Sequence, residues 1–212
     1  MKKLLVAISL LFCIASLSAQ RVAIMSFNIH HGSPPAAEDS VDLAEIARVI
    51  RESGADLIGI QEVDIRVPRS KLADQGFQLA NLTGMHYFFS KGIDFDGGEY
   101  GTLILSKHKI VGNRRYDLPM VVPSENRSLA IVDVQFPNGQ IISFANVHLD
   151  LKDENQLAQA AYITELGDWY DRPLILVGDF NTPPVSRPMK ILEEYFVRNT
   201  ERNRATYPST SP

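Results

Sequence analysis

Four apolar stretches of this chain run straight into side chains that a core would not accept. Residues 22–27 end at Asn28, residues 57–60 lead to Glu62, residues 141–145 lead to Asn146 and His148, and residues 174–177 lead to Asp179 and Asn181. Short apolar runs bounded by polar and turn residues read as strands. Strands packed side by side deliver their ends to a common rim, where ligand pockets form. A fold that packs these segments side by side can bring carboxylates, carboxamides and an imidazole to one rim.

The intervening segments supply the other layers. Leu43, Ile46, Ala47 and Ile50 recur at helical spacing after the N-cap candidates Asp39 and Ser40, and Gly54 closes the turn. A second helix is expected over 72–82 with a stop at Gly84, a third over 154–170 ahead of Pro173, and a last one from Ser186-Arg187-Pro188 to Tyr195. Further strands are expected at 85–89, 102–106, 129–136 and 140–149, with Asn138-Gly139 as a hairpin turn in which both residues tolerate positive φ. Leu174-Ile175-Leu176-Val177 is continuously apolar, the pattern of a strand buried on both faces. Strands outnumber helices and hairpins join many of them. Two packed sheets with helices outside is the simplest layering that buries all of this.

Composition narrows the setting. The chain has 212 residues and 45% hydrophobic content, enough for one domain with a sizeable core. Lys2 and Lys3, an apolar run over 4–17 and the small residues Ser16, Ser18 and Ala19 match a secretory signal over 1–19, too short for a membrane span. The remaining domain, 20–212, is expected to be exported to a periplasmic or extracellular space and to act as a monomer without a stable membrane anchor. Cys13 is the only cysteine and lies in that signal, which removes disulfides, thiolate metal sites and a cysteine nucleophile together. Without Lys2 and Lys3, 19 basic residues face 25 acidic ones, a net charge of −6. That balance gives no electrostatic footprint for avid binding to duplex nucleic acid.

The rim residues have a chemistry of their own. Glu62 is a hard oxygen ligand suited to Mg2+ or Mn2+, which take one or two carboxylates plus substrate phosphate and water. Carboxamides orient phosphate oxygens without adding repelling charge. Asp179 is suited to deprotonating a water and His148 to protonating a leaving oxygen. Each also has an ordinary reading. Glu62 and Asp64 could be solvated strand-end residues, Gly178-Asp179-Phe180-Asn181 a simple turn, and His148 a hydrogen-bonded sheet-edge residue. His30, His31, His86 and His108 show no zinc spacing and read as structural or exposed.

In order along the chain, Ser26-Phe27-Asn28-Ile29, Ile60-Gln61-Glu62-Val63-Asp64, Gly101-Thr102-Leu103-Ile104-Leu105-Ser106, Asn146-Val147-His148-Leu149 and Gly178-Asp179-Phe180-Asn181 resemble the successive signatures of the endonuclease/exonuclease/phosphatase superfamily. The resemblance implies an α/β, four-layered αββα sandwich of two mainly antiparallel sheets, and Mg2+-dependent hydrolysis of a phosphoester. By the same resemblance Glu62 is the principal metal ligand and Asn28 organises the metal site. Asn146 contacts the scissile phosphate, His148 is an acid or phosphate donor, Asp179 activates water, and Asn181 holds that water and the phosphate. Glu99 aligns with a residue that orients the histidine, and Arg127 with a basic position that stabilises phosphate charge.

One departure is expected to matter. The superfamily continues beyond a segment matched by Thr206-Tyr207-Pro208 to further strands bearing a terminal Asp-His pair, which this sequence lacks. The domain is thus expected to be C-terminally incomplete. It is either a fragment of a longer enzyme, the favoured reading since every earlier motif is intact, or a truncated variant without turnover. Two functional classes follow: an exported hydrolase of a small phosphodiester, lipid headgroup or nucleic acid, or an inactive module that binds phosphate or a headgroup. A purely structural domain is the third reading.

Overall fold

Asp42 and Gly54 bracket the first helix, α1 (Leu43–Ser53). The Asp42 carboxylate accepts the backbone N–H of Glu45, and Gly54 turns the chain out at φ 68°. Capping falls to Asp42 rather than Ser40, because the cap must stand three residues ahead of the amide it satisfies. The computed structural model describes residues 21–34, 40–200 and 206, so Asp39 and the expected signal at 1–19 lie outside the described residues. Helix α2 (Gln75–Thr83) repeats the pattern, with Asp74 accepting from Phe77 N–H and Gly84 at φ 70°. Helix α3 covers Asp153–Gly167, and α4 (Arg187–Leu192) starts at Ser186 with Pro188 in its first turn. None of the described helices is long and apolar enough to cross a membrane.

Among the described residues, eight strands form two four-stranded sheets. The first contains β1 (Ile24–Asn28), β2 (Leu57–Ile65), β3 (His86–Phe95) and β4 (Gly98–Ser106) in the order β1-β2-β4-β3. The second contains β5 (Lys109–Asp117), β6 (Ser128–Gln135), β7 (Ile141–His148) and β8 (Leu174–Asp179) in sequence order. β1 runs parallel to β2 and β7 parallel to β8, while the other pairs are antiparallel. Each parallel pair is joined through a helix, α1 or α3, as a parallel crossover requires.

Three apolar layers hold this together. Leu57 and Ile104 from one sheet meet Ala130, Val132, Val134, Ile142 and Phe144 from the other. Ile46, Ala47, Ile50, Leu79 and Ala80 of α1 and α2 cover the outer face of the first sheet, against Ile58, Ile60, Leu103 and Leu105. Ala160, Ile163 and Leu192 of α3 and α4 cover the second, against Leu129, Ile131, Ala145 and Val147. The result is the expected αββα sandwich. At its centre Gly59 lets the sheets approach: a Cβ there would lie 2.5 Å from Val177 Cγ2 and 2.8 Å from Asn146 Oδ1.

Three local expectations change. β5 carries Lys109, Arg114 and Arg115 on a mostly exposed strand, so it gives no apolar signal, yet it pairs with β6 along its length. β8 is half-buried at every residue, because among the described strands it lies at the edge of its sheet rather than inside it. In the hairpin between β6 and β7 only Gly139 takes a positive φ, 84°. Asn138 instead accepts the N–H of Gln140 through its side chain, 2.9 Å away.

Candidate active site

The parallel pairs decide where the polar residues go. Within each, both strands reach their C-terminal ends on the same side, and the register sets Asn28 beside Gln61 and His148 beside Asp179. On β2 the pairing with β4 slips between Ile60 and Val63, and Glu62 adopts φ 60° at the slip. A bulge of this kind re-aims one side chain out of the regular alternation. It directs Glu62 at Asn28.

Asn28 then ties three elements into one cluster. Its Nδ2 donates to Glu62 Oε1 at 2.7 Å and to Asp179 Oδ2 at 3.0 Å, and its Oδ1 accepts the backbone N–H of His30 at 3.0 Å. Asp179 also accepts the N–H of Asn181 through Oδ1 at 3.0 Å. His148 stands next to this pair, with Nε2 3.9 Å from Asp179 Oδ2. On its other side Nδ1 lies 3.1 Å from Arg127 Nη1. A guanidinium only donates, so Nδ1 accepts and the ring proton sits on Nε2, facing Asp179. Burial of the ring, reinforced by the Arg127 charge, pushes the His148 imidazole down to about 4. The histidine is therefore neutral near pH 7, ready to donate through Nε2.

Tyr100 completes the wall. Burial pushes its phenol up, and the Glu62 charge adds to the shift while Arg127 opposes it. Asp64, two residues beyond Glu62, is fully buried rather than solvated, and it takes both Nε and Nη2 of Arg69 at 2.9 Å. The Arg69 guanidinium lies 4.5 Å from the ring centre of Phe95 and 5.3 Å from that of Tyr100.

Four residues expected to act at the site are engaged with other partners. Asn146 is fully buried: its Oδ1 accepts from Gln61 Nε2 at 2.7 Å, and its Nδ2 donates to the carbonyls of Ile60 and Leu103 at 2.9 and 3.0 Å. It is a strut between the sheets with no side-chain atom left for a phosphate. Glu99 is not among the charged groups that act on His148. Neighbouring strand residues face opposite ways, and it is the Tyr100 phenol that feels the Glu62 and Arg127 charges. Glu99 pairs with Lys91 at 3.5 Å instead. Arg127 is engaged with Glu125, 3.0 Å away, and with His148 Nδ1, so it sits behind the imidazole rather than on an open phosphate subsite. Asn181, at φ 50°, spends its amide nitrogen on the Leu149 carbonyl at 2.9 Å, and Gln156 holds the Asn181 carbonyl at 2.9 Å. Asn181 thus shapes the loop that presents Asp179.

Two residues read from sequence as structural belong to the cluster. His30, His31 and Glu62 each place a potential ligand atom so that all three lie within 4.8 Å of one another. The histidine spacing gives no hint of this, since Glu62 is remote in sequence and reaches them only through its bulge. Burial, aided by the Arg69 and His30 charges, lowers the His31 imidazole below its ordinary value. The residues present fit a divalent cation: hard oxygens at Glu62 and Asp179, imidazole nitrogens beside them, and a His31 Nδ1 that is buried without a hydrogen-bond partner.

The fold is shared with proteins of known structure. An endonuclease/exonuclease/phosphatase from Beutenbergia cavernae superposes with a TM-score of 0.67 at 27% identity, over 78% of this chain and 48% of that one. An endonuclease/exonuclease/phosphatase family protein from Bacteroides thetaiotaomicron gives 0.64 at 19% identity, over 82% and 66% of the two chains. ANGEL2, a 2′,3′-cyclic phosphatase, gives 0.62 at 20% identity, over 81% and 56%. The chain thus spans from about half to two thirds of the length of these relatives. No curated protein sequence is matched. The endonuclease/exonuclease/phosphatase family model matches residues 25–212, and the chain belongs to that family.

Proposed function

We propose that the chain is an exported, divalent-metal-dependent phosphoester hydrolase that directs water onto phosphorus. The observation that carries this reading is the single Asn28 amide nitrogen shared by Glu62 and Asp179, with the Nε2–H of His148 beside Asp179. Glu62, oriented by Asn28, would hold Mg2+ or Mn2+. When bound, such an ion supplies positive charge against the phosphate oxygens and the departing oxygen.

The chain's own groups supply the rest. Asp179, fixed through both carboxylate oxygens, accepts a proton from the attacking water as the new O–P bond forms. The neutral His148 donates from Nε2 to a non-bridging phosphoryl oxygen, and Arg127 keeps that tautomer in place. The ester P–O bond then breaks and solvent protonates the leaving oxygen. His148 is better suited to the hydrogen-bonding role than to acid catalysis, because a group near 4 carries almost no transferable proton at neutral pH.

A small phosphodiester or phosphorylated headgroup fits better than duplex nucleic acid. The chain has a formal net charge of −4, and the Arg127 guanidinium at the site is buried on Glu125 and His148. The test is hydrolysis of bis(p-nitrophenyl) phosphate by the purified protein with Mg2+, with and without a chelator. We expect chelator-sensitive turnover that Asp179→Asn lowers by about 10³-fold. Absent turnover with retained binding of inorganic phosphate would favour the binding-module reading.

A further inference from the structure

His30 and His31 are placed with more care than exposed loop residues need. Both take left-handed backbone angles, φ 46° and 44°, and Glu62 facing them does the same at φ 60°. Non-glycine residues adopt this conformation at a cost, and such strain persists only where surrounding contacts hold it. Those contacts are present. Asn28 Oδ1 accepts the His30 N–H, Gln75 Nε2 donates to the His31 carbonyl at 2.6 Å, and the Gly32 N–H reaches the Ile29 carbonyl at 2.9 Å. The rings lie 4.2 Å apart, inclined at 50°. No hydrogen bond within the described residues explains the buried Nδ1 of His31.

The donor distances suit one ion. Ligands bound at about 2.1 Å stand no more than roughly 4.3 Å from one another. The three donor atoms here fall within 4.8 Å, so closure needs only a small adjustment of exposed or half-buried side chains. Imidazole nitrogen suits first-row transition metals, whereas Mg2+ prefers oxygen and gives up its water reluctantly.

We infer that His30 and His31 add nitrogen ligands to the cation held by Glu62, so that this site takes a first-row transition-metal ion in preference to Mg2+. The inference rests on the reading of Glu62 as the metal carboxylate and extends it to the identity of the ion.

The experiment uses the full chain, stripped of metal and loaded with Mn2+ alone for pulsed electron paramagnetic resonance, and with Co2+ or Mg2+ alone for calorimetric titration. His30→Asn, His31→Asn and the double variant are compared, since asparagine tolerates the left-handed backbone, and circular dichroism confirms that each is folded. The expected result is nitrogen-14 modulation from directly bound imidazole in the wild type, weakened in each single variant and absent in the double one. Co2+ affinity should fall at least tenfold in the double variant while Mg2+ affinity changes less than threefold. Absent nitrogen modulation in the wild type, or Co2+ affinity unaffected by the double substitution, would overturn the inference. A Glu62→Gln variant separates the two readings. If it loses hydrolysis while the wild type shows no nitrogen modulation, the histidine ligation alone fails. If it hydrolyses normally, the assignment of Glu62, and with it the inference, fails.

Discussion

Arg127 Nη1 lies 3.1 Å from Nδ1 of His148, and this contact fixes the proton of a buried imidazole on the nitrogen that faces Asp179. A cation beside a histidine also disfavours its charged form, so the same pair sets when the site can change charge.

That pair makes stability depend on pH with a definite sign. Burial and Arg127 depress His148 from 6.5 to about 4 in the folded chain. A depressed group contributes stability that is fully present above 6.5 and lost as pH falls through about 4, because in that window the unfolded chain binds the extra proton. The contribution is at most about 3 kcal/mol. Urea unfolding at pH 7 and pH 4.5 should show the loss, and Arg127→Met should shift the His148 titration upward in an NMR pH series.

Asn28→Ala removes the one side chain that, among the described residues, donates to both Glu62 and Asp179. We expect a loss of about 10–100-fold in metal affinity and in turnover, the usual effect of removing a group that orients metal ligands. Calorimetric titration with Mn2+ and steady-state hydrolysis check this. Thermal unfolding of the metal-free variant should stay close to wild type.

Asn146→Ala should behave in the opposite way. It leaves the carbonyls of Ile60 and Leu103 without the Asn146 amide between the sheets, while Gln61 Nε2 keeps the Gly59 carbonyl at 3.2 Å and Ser26 Oγ at 3.3 Å. Unsatisfied buried groups cost about 1–3 kcal/mol each, so a loss of roughly 3 kcal/mol or more is expected. Urea denaturation measures it. Turnover per folded molecule should remain within a few-fold, whereas a phosphate-contacting asparagine would lose far more.

Arg69→Ala strands the fully buried Asp64 carboxylate and removes the guanidinium from the faces of Phe95 and Tyr100. Breaking a buried pair on one side costs about 3–5 kcal/mol, and the low end applies because the Arg69 side chain is 36% exposed. Adding Asp64→Asn to Arg69→Ala should recover part of the loss, and a double-mutant cycle of unfolding free energies checks the coupling.

The sequence alone determined the layering and most of the cluster. Helical spacing at Leu43, Ile46, Ala47 and Ile50, the stops at Gly54 and Gly84, and the hairpin at Asn138-Gly139 depend on local chemistry, which a sequence carries in full. The polar ends of β1, β2, β7 and β8 were legible for the same reason, and Asn28, Glu62, His148 and Asp179 do meet. Tertiary structure decided what adjacency along the chain cannot encode. The bulge at Glu62 turns its carboxylate toward Asn28 and the two histidines, and strand alternation brings Tyr100 rather than Glu99 to the site. The close approach of the sheets over Gly59 turns Asn146 from a rim residue into an internal strut. A side chain's neighbours across a sheet depend on register and on the gap between layers, and both are set by the whole fold.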